Sequence, residues 1–204
     1  MSPPPDTRTR LLETAARLFH EQGYEATGIA TILRESGVNS GSLYHFFRSK
    51  EDLLRGTLEW RLEMLRPIVT DPAEAATDDP VERVFALLAG YRRMLEATGC
   101  TMGCPIGNLA LELSDSHPHI RALLHRNFEN WLDVVGGWLQ DAGDRLPADL
   151  DRRELARFVL TTMEGGIMQA RASGTLAQFD QSVAHLRHYV DLLLAQAAAS
   201  KGGP

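Results

Sequence analysis

A chain of 204 residues, 44% hydrophobic and 24% charged, has apolar material for a packed core in one or two domains. No apolar run approaches the roughly 20 residues needed to cross a bilayer. The start, Met1-Ser2-Pro3-Pro4-Pro5, lacks the basic-then-apolar plan of a secretory signal, and Cys100 and Cys104 are too few for a disulfide framework, so a cytoplasmic protein with no membrane partner is expected. The net charge of −6 counts mildly against nucleic acid without excluding it. A DNA reader needs basic residues on one face, not a basic total, and the first sixty residues carry seven Lys or Arg against eight Asp or Glu.

In chain order, helical periodicity dominates and strand alternation is nearly absent. Leu12, Ala16 and Phe19 share one face of a first helix that Gly23 ends. Ile29, Ile32 and Leu33 mark a short second helix closed by Gly37. Ser40 caps a third that runs through Phe46. Ser49 with Asp52 resembles a capping box, opening a long fourth helix to about Arg66, before Pro67. Thr70 to Asp78, rich in Asp, Ala and Pro, reads as a loop and a domain boundary. Asp79-Pro80-Val81-Glu82 then starts a fifth helix with Val84, Leu88, Tyr91 and Leu95 on its apolar face. A short helix from Cys104 to about Leu113 follows, then one from Pro118 through Trp138, one opened by Asp151 and running to about Ser173, and a last from near Phe179 to Ala197. About nine helices are expected, with frayed ends at the N-terminal prolines and from Ala198 to Pro204.

Residues 36–54 break the pattern of a core helix. Tyr44, His45, Phe46 and Phe47 are consecutive, where a single buried face spaces its aromatics by three and four. Gly37 suits a tight turn between two short helices and Val38 suits the angle between them, which is the grammar of a helix-turn-helix. The second helix of that motif lays its N-terminal residues on base edges in the major groove. Small residues at Asn39, Ser40, Gly41 and Ser42 allow a close approach, Tyr44 and His45 reach phosphates, Phe47 turns inward, and Lys50 stands at a helix N-terminus that favours an anion.

The stretch Tyr24 to Leu54, with Gly23-Tyr24, Ala26-Thr27, Ile29, Ile32, Gly37-Val38, the run Gly41 to Phe47 and Ser49 to Leu53, resembles the DNA-binding domain of tetracycline-repressor (TetR) family regulators, over roughly residues 7–60. Gly103 to Leu124 is similar to the ligand-domain segment of one branch of that family. The resemblance implies an all-α homodimer with an N-terminal three-helix DNA-binding domain (6–66, helix-turn-helix at about 28–47) and a helical ligand-binding and dimerisation domain (67–199). It further implies operator DNA and a small-molecule effector as partners. By position, Thr27 matches a phosphate contact at the start of the second helix, Ser40, Ser42, Tyr44 and His45 the recognition helix, and Lys50 a further phosphate contact. Ser40 stands where many members have Lys and Arg48 where many have Pro, so no operator sequence transfers.

An effector pocket is expected to draw on Trp60, Met64, Tyr91, Met94, Cys104, Phe128, Trp131 and Met163, with Asn108, Thr162 and Gln169 as polar anchors. The stripe Leu186, Val190, Leu193, Ala197, with small Gly165, Ala170 and Ala172 opposite, is expected to form a four-helix dimer interface. Cys104, at a helix start after a glycine-rich turn, raises the alternative of electrophile or redox sensing. His117, His119 and His125 are too loosely spaced for a metal site, and no metal or cofactor is expected. No catalytic triad, phosphate loop or carboxylate pair stands out, which leaves an enzyme, a partner-binding helical protein or an activator as the other readings.

Overall fold

The computed structural model describes residues 6–201, and every regular element among them is helical. Ten α-helices run α1 Thr7–Gln22, α2 Ile29–Ser36, α3 Ser40–Phe46, α4 Lys50–Leu65, α5 Asp71–Ala76, α6 Pro80–Ala97, α7 Pro105–Leu113, α8 Arg121–Asp141, α9 Arg152–Ser173 and α10 Ala177–Lys201. Most ends have local causes visible in the sequence. The Asp6 carboxylate accepts the Thr9 N–H at 2.8 Å, and Asp79 and Asp151 each accept two first-turn N–H groups of α6 and α9. Gly37 and Gly174 close α2 and α9 in the left-handed conformation.

Three features depart from the sequence reading. The cap of α3 is Asn39, not Ser40: Asn39 is extended and its carboxamide oxygen accepts the Ser42 N–H at 2.8 Å, while Ser40 is already helical. Pro67 does not end the helical run. Residues Arg66–Thr70 form a π-helical turn in which the Asp71 N–H reaches back to the Arg66 carbonyl, and α5 follows where a loop was expected. The Trp138 indole N–H donates to Glu74 at 3.0 Å and holds α5 in place. Finally, α10 extends through Lys201, so Ala198 to Lys201 are helical; the rest of the expected frayed ends, residues 1–5 and 202–204, lie outside the described residues.

The chain forms two compact units that do not follow chain order. The first takes the residues through Met64 together with Cys104–Phe128. The second takes Leu65–Gly103 and the residues from Glu129 onward. In the first, Leu11, Leu12, Ala15, Phe19, Ile32, Leu43, Leu53, Leu54 and Leu58 share one core with Leu109, Leu113 and Leu124 of α7 and α8. In the second, α9 and α10 bury Ala156, Val159, Met163 and Ile167 with Phe179, Leu186 and Val190. Arg187 clasps Glu82 through two bonds of 2.6 and 2.7 Å and stacks 3.3 Å from the centre of the Phe85 ring, and Arg92 clasps Asp180 at 2.8 and 3.1 Å. Among the described residues no helix is long and apolar enough to cross a membrane.

Candidate nucleic-acid interface

The turn between α2 and α3 is built from four residues. Gly37 adopts φ 64°, Ser36 Oγ accepts the Val38 N–H at 3.3 Å, Val38 is buried, and Asn39 caps α3. Leu43 and Phe47 then anchor α3 from its inner side, 0% and 4% exposed. A seven-residue helix pinned at those two points turns its other side outward. Asn39, Ser40, Gly41, Tyr44 and His45 are exposed, Tyr44 by 53%, and Ser42 is half-buried. The crowded aromatics are thus divided, with Phe47 inside, Tyr44 and His45 outside, and Phe46 at the border with 39% exposure. This surface offers hydroxyl, carboxamide, phenol and imidazole groups on a helix thin enough to enter a major groove.

Two residues assigned to phosphate need correction or refinement. Thr27 is fully buried, and its hydroxyl donates to the carbonyls of Gly23 at 2.6 Å and Leu18 at 3.3 Å. It fastens the α1–α2 turn from inside and presents nothing to DNA. The outward group at the start of α2 is the helix N-terminus itself, where exposed Gly28 is the cap and no side chain covers the first N–H groups. Lys50 is half-buried; its Nζ lies 4.2 Å over the Tyr24 ring and 3.4 Å from the Glu25 carbonyl. At the same helix start, Ser49 Oγ accepts the Asp52 N–H at 3.0 Å, while the Asp52 carboxylate accepts from Arg48 rather than from Ser49.

Glu112 escaped the sequence reading. Its carboxylate accepts the backbone N–H groups of Tyr24 and Glu25 at 2.9 and 2.8 Å, 88 and 87 residues away in the chain. The available signal was its isolation as the one charged residue of α7.

Comparison with known proteins assigns the chain. Residues 11–57 match the family model for bacterial regulatory proteins of the tetR family, and residues 80–185, more than half of the chain, match the LmrA/YxaF-like transcriptional regulator C-terminal domain. The chain belongs to the TetR family. It is 34% identical to the HTH-type transcriptional regulator LmrA of Bacillus subtilis, over 80% of this chain and 85% of that one. It is 32% identical to the HTH-type transcriptional repressor KstR2 of Mycobacterium tuberculosis, over 83% and 84%. A TetR transcriptional regulator from Chloroflexus aurantiacus has the same fold, with a TM-score of 0.76 at 28% identity over 91% of this chain and 94% of that one. The family is one of DNA-binding transcriptional regulators, not enzymes.

The residues expected to line the effector pocket of this TetR-family protein divide between the units. Trp60, Met64, Cys104, Asn108 and Phe128 fall in the first, and Tyr91, Met94, Trp131, Thr162, Met163 and Gln169 in the second. Tyr91 and Met94 line a groove of about 290 Å³ with Ile68, Pro72 and Leu87. Trp60 packs on the first core, and Met163 belongs to the second. Gln169 is exposed, and the Thr162 hydroxyl is spent on the Phe158 carbonyl at 2.8 Å. Trp131 is 4% exposed, and its indole N–H has no acceptor among the described residues. Leu186, Val190, Leu193 and Ala197 correct the dimer expectation: all four are buried within the chain, as is Ala170. The same two helices expose Phe158, Met168, Tyr189 and Leu192 instead, with Phe158 and Tyr189 meeting edge to face at 5.7 Å. Gly165, on the Phe158 stripe, has open space where a Cβ would stand.

Proposed function

We propose that the protein is a ligand-responsive repressor that binds a palindromic operator as a homodimer. The observation that carries this is the outer side of α3, where Ser40, Tyr44 and His45 are exposed and Ser42 half-buried while Leu43 and Phe47 hold the helix from within. Repression follows the relative KstR2, which is named a repressor. Residues 6–66 read DNA in the cytoplasm, and 67–199 bind effector and dimerise, with Cys104–Phe128 the part of the latter folded into the DNA-reading unit. Two recognition helices about 34 Å apart, or a small multiple of this, would engage successive major grooves. The dimer contact is assigned to the stripe Phe158 and Gly165 of α9 with Tyr189 and Leu192 of α10, since these are apolar or small positions of the two helices that the fold leaves uncovered. A gel-shift titration with DNA upstream of the protein's own gene tests the whole. One retarded species containing two chains is expected, and no preference for any such fragment over scrambled DNA would sink the reading.

The effector is expected to be apolar and to carry a hydrogen-bond acceptor, because the buried Trp131 N–H lacks one. Thermal denaturation against a metabolite panel, repeated with Trp131→Phe, should find compounds that stabilise only the parent.

A second reading rests on the surroundings of Cys104. Its sulfur caps α7, accepting the Gly107 N–H at 3.4 Å, and the Arg61 guanidinium feels it: burial pushes Arg61 down and Cys104 pushes it up. A helix start and a cation both favour thiolate. The thiolate would add to the β-carbon of a quinone or maleimide, forming a C–S bond while the resulting enolate takes up a proton. Equal operator affinity of wild type and Cys104→Ser after maleimide treatment would reject covalent sensing.

A further inference from the structure

Glu112 is the one charged residue of the helix Pro105–Leu113, and it is spent on the backbone of a distant turn. Oε2 accepts the Tyr24 N–H at 2.9 Å and Oε1 the Glu25 N–H at 2.8 Å. The turn is shaped for this carboxylate. Gly23 adopts φ 86°, and a Cβ there would stand 3.1 and 3.2 Å from the two carboxylate oxygens. A side chain at position 23 would therefore push Glu112 away. Further contacts tie the segment after α7 to this turn and to α4. The His117 ring meets Tyr24 edge-on at 5.6 Å with Nε2 3.9 Å from Glu25, and His119 Nε2 lies 2.9 Å from Glu51 at the start of α4. The turn leads through the buried Thr27 anchor directly into α2 and then α3, the helix that carries the exposed polar set.

We propose that Glu112 is a positioning residue for operator recognition: its carboxylate ties the α1–α2 turn to α7 and thereby sets where α3 stands on DNA. Two N–H bonds to a carboxylate are charge-assisted and directional, and losing the acceptor leaves both donors unpaired. Any displacement of α7 would pass through this tie to the recognition helix. The inference rests on the reading that α3 contacts the operator.

The test uses the full-length protein, the tightest duplex found upstream of its gene, and a scrambled duplex of equal length. Glu112→Gln keeps the size and one acceptor oxygen but removes the charge and one good bond. Its preference for the specific duplex over the scrambled one should fall about 10-fold, with unchanged helical circular dichroism and little change on scrambled DNA. Glu112→Ala should lower the preference further. A structural role alone would lower the melting temperature and leave the ratio intact well below melting; that result overturns the proposal. Wild type with no preference at all would sink the operator reading itself, and the proposal with it. Amide exchange gives a readout free of any variant: the Tyr24 and Glu25 N–H groups should be protected in the wild type, and exchange at the rate of an open turn would also overturn the assignment.

Discussion

The two compact units reveal their work to different degrees. In the first, the surface proposed to read DNA is local: turn, cap, outward polar positions and inward anchors all fall between Ser36 and Lys50. In the second, α9 and α10 are long helices with several apolar or small stripes each, and what a stripe does depends on which neighbour covers it. Leu193 and Leu192 are adjacent in sequence, yet one is 8% and the other 55% exposed. A short helix pinned at two points has one free side; a long helix in a bundle has to be seen packed before its free side is known.

The largest expected effects separate these two leucines. Leu193→Asp removes a buried side chain, at least the roughly 2–5 kcal/mol of a truncation to Ala, and adds an unpaired charge. Denaturant unfolding should show a large fall in midpoint. Leu192→Asp should stay folded but yield a monomer by light scattering, losing only the concentration-dependent stability that dimerisation confers. A folded monomer from Leu193→Asp would reverse the assignment of the two stripes.

Glycine substitutions come next and probe the packing of each unit. A Cβ on Gly56 would lie 2.8 Å from the Phe47 ring, the inner anchor of α3. Gly56→Ala should cost about 1–3 kcal/mol and weaken operator binding as Phe47 yields. On Gly166 the Cβ would lie 3.0 Å from the Phe179 ring and 3.3 Å from its Cα, so Gly166→Ala should cost a similar amount without loss of DNA binding per folded dimer. Equal damage to DNA binding by both would mean that the units do not divide the work in this way.

Lys50→Ala sharpens the description of the DNA face. If Lys50 leaves the Tyr24 ring for a phosphate, operator affinity should fall on every sequence and the salt dependence should flatten by about 0.9 per lost contact, doubled in a dimer. An unchanged slope would leave Lys50 as a cation packed on Tyr24. Ser42→Ala should instead alter sequence preference with the slope preserved.

The smallest expected effect is acid sensitivity in the second unit. The Arg187 hydrogen bonds hold the Glu82 carboxyl below the usual range, and Arg145 does the same for Asp79. Because both folded values are depressed, the stabilisation is complete above the unfolded values near 4 and is lost as pH falls through the lower folded ones. Both groups are partly exposed, which limits each pair to about 1 kcal/mol or less. Stability measured from pH 6 to 3 should fall less steeply for Glu82→Gln than for wild type; parallel curves would remove the pair from the acid response.

By itself the sequence determined the helical class, most helix ends and the exposed polar side of α3 that is proposed to read DNA. These depend on local chemistry: Asp and Asn at caps, glycines in left-handed turns, and a polar run beside a turn. Even there, tertiary structure decided which neighbour did what. It made Asn39 the cap instead of Ser40, buried Thr27 under its own turn, and carried the chain past Pro67 in a π-helical turn. The burial of Leu186, Val190, Leu193 and Ala197 and the partners of Glu112 came only from packing. An apolar stripe reads the same whether its own chain or a second copy covers it, and a lone acid on α7 gives no sign that its partners are backbone N–H groups nearly ninety residues earlier.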